Sequence, residues 1–243
     1  MIRSLVFISL APVLIIALYI YIRDKYEKEP VICLLKALIS GILIVFPVVF
    51  VEKILFTFSQ GEQGVITAAY NAFIVASFTE EGFKYLAFML LFWTNRNFNE
   101  KFDGIVYAVF ISLGFAAIEN VMYVFRGGYE VGYLRALTAV PAHALFGTVM
   151  GYYFGIARFY RARRFINLFL AFLMPFAWHG LYDFLIMGQR QILLLIFIPV
   201  VIFFWINGFR RMSQLSKASV FRNDLFHRKG EQGTSDDDMV INT

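Results

Sequence analysis

The chain has 243 residues, 60% hydrophobic and 19% aromatic, with only 16% charged and a mean hydropathy of +0.68. A soluble domain is nearer half apolar and a quarter charged, so these proportions exclude one and point to an all-α, polytopic membrane bundle. The net charge of +5 accompanies no nucleic-acid-binding pattern, and the single cysteine, Cys33, rules out an intrachain disulfide.

Spanning ~30 Å of hydrocarbon takes about 20 apolar residues. Seven runs meet that need, near 4–22, 31–51, 65–93, 104–125, 136–157, 166–187 and 191–209. The first run is followed, not preceded, by positive charge and lacks a small-x-small cleavage site, so it reads as a retained anchor. With the N-terminus outside, fifteen of the lysines and arginines face the cytoplasm and five face out. That bias predicts seven spans with the N-terminus out and the C-terminus in. Residues 1–209 are thus expected to form one transmembrane domain, and 210–243 a polar cytoplasmic tail without fixed structure.

The third run carries Glu80-Glu81-x-x-Lys84 in its middle. A charge at the bilayer centre costs at least ~2.5–3.5 kcal/mol, so such residues usually face a protein interior and usually act there. Glu80 and Lys84 share a helical face, whereas Glu81 points about 100° away, so the spacing predicts that Lys84 does not pair with both. At 29 residues this run exceeds what a membrane needs, and it is expected to tilt or to break near Thr79–Gly82.

Span four carries Phe115-x-x-x-Glu119-Asn120. Span five carries His143 on one stripe with Gly147, Gly151 and Gly155, where glycines let a neighbouring helix approach closely. Span six carries His179 and Asp183 on one face, so the carboxylate is placed to orient a ring nitrogen. Each has a bland alternative as a structural hydrogen bond. Counted from the outer ends, Glu119, His143 and His179 lie six to eight residues in, or roughly 9–12 Å at about 1.5 Å per residue. Their common depth places a cluster in the outer half of the membrane.

Peptide hydrolysis fits such a set: a carboxylate base, an electrophile for the oxyanion, and water admitted to a dry site. A zinc helix of the His-Glu-x-x-His type is absent, Asp183 stands alone among intramembrane aspartates, and Ser112 lacks a glycine-flanked turn. Glutamate with histidine remains. A proton-coupled transporter is the non-enzyme alternative, although no internal repeat supports it.

Glu80-Glu81-x-x-Lys84, Phe115-x-x-x-Glu119-Asn120, His143-Ala-Leu-Phe-Gly147 and His179-x-x-x-Asp183 together resemble the PrsW family of bacterial intramembrane proteases, as does the loop Arg23-Asp-Lys-Tyr-Glu-Lys-Glu-Pro30. The resemblance covers about residues 19–187. It implies a multi-pass protein of the bacterial plasma membrane that makes the first, extracytoplasmic-side cut in a membrane-spanning anti-sigma factor, releasing a stress-response sigma factor. The family is similar in turn to type II CAAX prenyl proteases, with Glu-Glu-x-x-x-Arg, Phe-x-x-x-His and His-x-x-x-Asn. Lys84 stands one position earlier than their arginine, and Glu119 and Asp183 replace their histidine and asparagine.

The expected roles follow. Glu80 activates water and shares its proton with Glu81 or Glu119. His179, oriented by Asp183, polarises the carbonyl or donates to the leaving amine, a role open to His143 as well. Lys84 offsets the carboxylates' charge. A second reading uses His143, His179 and Glu80 or Glu119 to hold a zinc ion that keeps a position for water.

Overall fold

A computed structural model describes residues 2–61 and 64–221. Among the described residues the regular elements are all helical, the principal ones in the order α1 (Ile2–Arg23), α2 (Val31–Phe56), α3 (Val65–Tyr70), a π-helical segment (Asn71–Phe78), α4 (Thr79–Leu91), α5 (Lys101–Leu137), α6 (Ala139–Phe159), α7 (Arg164–Met187) and α8 (Gln191–Lys217). Among the described residues, five helical stretches are long and apolar enough to cross a membrane. One of them, Lys101–Phe159, holds both α5 and α6. The run carrying Glu80 is not among the five, because the π segment divides it into short pieces. Large apolar side chains such as Phe7, Phe46, Leu90 and Phe165 face outward, as lipid contact requires.

The middle helix is α5, which packs against α1, α2 and α6. Small residues make those contacts close. A Cβ at Gly151 or Gly155 of α6 would collide with the backbone of Gly104 or Lys101, and one at Gly114 would strike the Leu38 carbonyl of α2. Without a hydrophobic driving force in lipid, such close approach is the main source of helix association. The expected glycine stripe of α6 therefore does pack, against the face of α5 that includes Ala108 and Ser112. Near the opposite end from the site, Phe88 stacks on Phe154 at 4.0 Å and Phe92 on Tyr107 at 4.4 Å.

Three features depart from the sequence reading. The Glu80 run neither breaks at Thr79–Gly82 nor remains a uniform α-helix; it widens into a π-helix just before Thr79. Such segments are rare and favour functional sites. Second, α5 continues well past the expected end at 125. It turns at Gly128, whose φ of 74° suits glycine, and folds residues 129–137 back over the bundle. Third, α8 extends to Lys217, beyond the expected start of the tail at Arg210. The remainder of that tail, 222–243, lies outside the described residues.

Candidate active site

A cavity of about 630 Å³ opens between α2, the π segment, α5, α6 and α7. Glu80, Glu119, His143, His179 and Asp183 all line it. Glu81 and Lys84 lie behind it, each fully buried. All seven residues singled out in the sequence thus converge from four helices, α4 to α7.

Each is positioned by its own helix. The π segment precedes the turn that carries Glu80 and Glu81, and it is fastened to α7 by Ser77, whose hydroxyl donates to the Phe176 carbonyl at 2.6 Å. Pro175 of α7 has no N–H for the carbonyl one turn back, and His179 follows one turn later. His143 sits in the second turn of α6, two residues after Pro141, just above the glycine stripe.

Lys84 Nζ donates to Glu80 Oε2 at 3.0 Å and to Glu81 Oε1 at 2.8 Å. The expectation that it would not serve both is therefore wrong. Positions three and four apart are both neighbours on a helix, and a four-carbon stem with three donors reaches each. The third donor meets His143 Nδ1 at 3.3 Å, and the Phe115 ring lies 4.3 Å from the ammonium. An ammonium has no lone pair, so His143 Nδ1 must accept. Its Nε2–H then donates to Glu119 Oε2 at 2.8 Å.

His179 differs. Its Nδ1 faces Glu81 Oε1 at 2.9 Å, and its Nε2 faces Asp183 Oδ2 at 3.2 Å. With a carboxylate at both nitrogens, the ring is built to hold two protons. The Asp183 contact is the looser one and stands on the cavity side.

Glu80 bonds neither Glu81 nor Glu119 directly. Glu81 is committed to Lys84 and His179, and Glu119 to His143 and Arg135. Only Glu80, of the pair at the head of α4, reaches the cavity.

Glu80, Glu81, His143 and His179 each offer a ligand atom, and these atoms lie within 4.8 Å of one another. Two imidazoles and two carboxylates fit a borderline divalent ion such as zinc, and Glu81 Oε2 is buried without a partner. Lys84 Nζ stands within hydrogen-bond distance of three of the four residues, so its own positive charge already serves them.

Two further lining residues lie outside the motifs of the sequence. Arg135, on the folded-back end of α5, pairs with Glu119 at 2.8 Å and donates to Asn120 Oδ1 at 2.9 Å. Asn120 in turn donates to the Ser9 carbonyl of α1 at 2.8 Å. Glu52, near the end of α2, also faces the cavity. Positive-inside counting assigns Arg135 to an outer segment, and Glu52 falls just past the expected end of the second run at 51. The one clue was Gly127-Gly128, a turn signal that returns the chain toward Glu119.

A family model described as "PrsW family intramembrane metalloprotease" matches residues 29–206. A protein called Protease PrsW from Oceanobacillus iheyensis is 36% identical over 217 residues, covering 89% of this chain and 98% of its own. Those of the same name from Geobacillus kaustophilus and Bacillus subtilis are 38% and 32% identical, over 77% and 88% of this chain and 82% and 96% of theirs. No solved structure matches. A multi-pass helical architecture, a buried set of glutamates and histidines, and this similarity over most of the sequence lead to one conclusion: the chain belongs to the PrsW family of intramembrane proteases.

Proposed function

We propose that this protease makes the first cut in a membrane-spanning anti-sigma factor, near its extracytoplasmic side, with Glu80 as the base that activates water. The observation that carries the reading is the division of labour at the head of α4: Glu80 lines the cavity while Glu81 and Lys84 are sealed behind it. In this reading seven segments span the membrane, the N-terminus is outside, and the tail is cytoplasmic. The excess of arginine and lysine at one set of connections supports that orientation.

Hydrolysis then runs as follows. A substrate strand enters the cavity with its scissile carbonyl beside a water on Glu80. The carboxylate takes a water proton as the oxygen attacks the carbonyl carbon, and the carbonyl π pair moves onto its oxygen. His179, held through Nδ1 by Glu81, turns its Nε2–H from the looser Asp183 contact to that oxyanion and stabilises it. The C–N bond breaks as the proton held by Glu80 passes to the leaving amine. Lys84 holds Glu80 in place throughout, and His143 links Lys84 to Glu119.

A second reading is favoured by the family description and by the donor set. Glu80, Glu81, His143 and His179 would hold a zinc ion, which would polarise the carbonyl and make bound water more acidic. Lys84 would then release some of its partners.

Co-expression of a tagged anti-sigma factor with wild type and His179→Ala tests the reading. Cleavage by wild type at an outer-side position, lost in His179→Ala, is expected. A cut mapped to the cytoplasmic side, or full activity without the imidazole, would overturn it.

A further inference from the structure

At the arginine-rich end of the bundle, away from the active site, a second cavity of about 550 Å³ lies between α6, α7 and α8. Its lining includes Arg163, Arg210, Arg211, Tyr152, Tyr153 and Asn167, and no acidic residue. None of the three arginines makes an ion pair among the described residues. Arg211 is held between two rings: its guanidinium carbon is 4.5 Å from the Tyr152 ring centre and 4.9 Å from that of Tyr153, and Nη2 donates to the Tyr153 hydroxyl at 3.3 Å. Its Nε is buried and has no partner. Three cations gathered in one concavity without a counter-charge repel one another, so the arrangement is incomplete as it stands.

We propose that this cavity binds the phosphate of an anionic phospholipid. Arginine presents a planar fork that matches phosphate oxygens in pairs, and the cation–ring contacts with two tyrosines and the bond to the Tyr153 hydroxyl hold the fork in advance. Basic pockets between transmembrane helices are suited to lipid headgroups. Apolar surface adjoins the cavity: Phe165 and Phe169 on α7 are exposed within two residues of the lining residue Asn167, and Phe203 and Ile206 on α8 within four of Asn207. Acyl chains attached to a phosphate in the cavity would run along that surface. A zwitterionic lipid brings its own cation and leaves the arginines uncompensated, whereas an anionic lipid neutralises one of them. The lipid would fasten α8 and the α6–α7 connection together, a contact the proteolytic chemistry does not require.

The test uses the full chain purified in a zwitterionic detergent. Phosphatidylglycerol, phosphatidylcholine with the same acyl chains, and inorganic phosphate are each titrated, with thermal stability and native mass spectrometry as readouts. Phosphatidylglycerol is expected to remain bound and to raise the melting temperature. Phosphatidylcholine and inorganic phosphate at equal concentration are expected to do neither. Arg211→Gln and Arg163→Gln should each weaken phosphatidylglycerol binding about tenfold, with Arg211→Lys intermediate. Arg163 is exposed, so its variant decides the matter if Arg211→Gln fails to fold. Cleavage in lipid-free detergent should be unchanged in Arg163→Gln. Equal stabilisation by phosphatidylcholine, reproduction of the effect by free phosphate, or wild-type lipid affinity in the glutamine variants would overturn the proposal.

Discussion

Arg135 Nη2 stands 2.8 Å from Glu119 Oε2, although the two residues lie on opposite sides of the turn at Gly128. The same Glu119 oxygen accepts from His143 at 2.8 Å, and the Arg135 guanidinium lies 4.1 Å from the Tyr123 ring centre. The folded-back end of α5 thus reaches the active-site histidine through one carboxylate. Arg135→Gln is expected to lower kcat about 10–100-fold with little change in KM, the usual cost of losing a partner that orients a functional group. Arg135→Lys should restore part of the loss. Cleavage kinetics on both variants check this, and a pure KM effect would assign Arg135 to substrate binding instead.

Removing the charge behind the cavity should act on the fold before it acts on chemistry. Lys84→Met leaves Glu80 and Glu81 adjacent, buried and without their shared cation. A broken buried pair costs about 3–5 kcal/mol, so this variant should unfold at markedly lower denaturant concentration. Glu80→Gln keeps an acceptor for Lys84 and should stay close to wild-type stability. Denaturation of both in detergent separates the two effects.

The glycine contacts give a second stability test. Gly151→Val pushes side-chain atoms into the Gly104 backbone and should cost about 3 kcal/mol, the upper part of the overpacking range. At Gly82 a Cβ meets only Phe172 at 3.9 Å. Gly82→Ala should therefore hold or slightly raise stability, because alanine favours the helix. Melting temperatures of the two variants should move apart.

Much of this was legible in the sequence, and the failures have physical reasons. The seven ionisable residues stood out because hydrocarbon penalises each of them, and α-helical spacing placed His179 with Asp183 correctly. The π segment was not legible, since an apolar run such as Asn71–Phe78 reads alike in either helix type. Arg135 was missed because its partner lies across a turn, where no local periodicity connects them. The double pairing of Lys84 was missed because an angular argument about Cβ directions ignores the reach of a lysine side chain.

A cluster of acids outside the spans adds a pH dependence. Burial pushes the Asp24 carboxyl up to about 6 and those of Glu29 and Glu100 up to about 7. Tyr107 donates to Glu29, and the Glu29 N–H donates to Asp24 at 3.3 Å. Because the folded values are raised above about 4, the folded state holds these protons more tightly than the unfolded chain. Their contribution is complete below about pH 4 and is lost as pH rises through 6 and 7. Glu29→Gln keeps an acceptor for Tyr107 and should raise the melting temperature at about pH 8 more than at about pH 5. Equal effects at both pH values would show that these acids do not titrate in this range.

The role of Glu80 is tested most directly by cleavage of a tagged anti-sigma factor with wild type and Glu80→Gln, each with and without a chelator. Glutamine preserves the shape and the contact with Lys84 but cannot take a proton from water. The glutamate mechanism is expected to give cleavage by wild type in both conditions and none by the variant in either. Activity surviving in Glu80→Gln would contradict it, and wild-type activity lost to the chelator and restored by zinc would move Glu80, His143 and His179 to metal ligation.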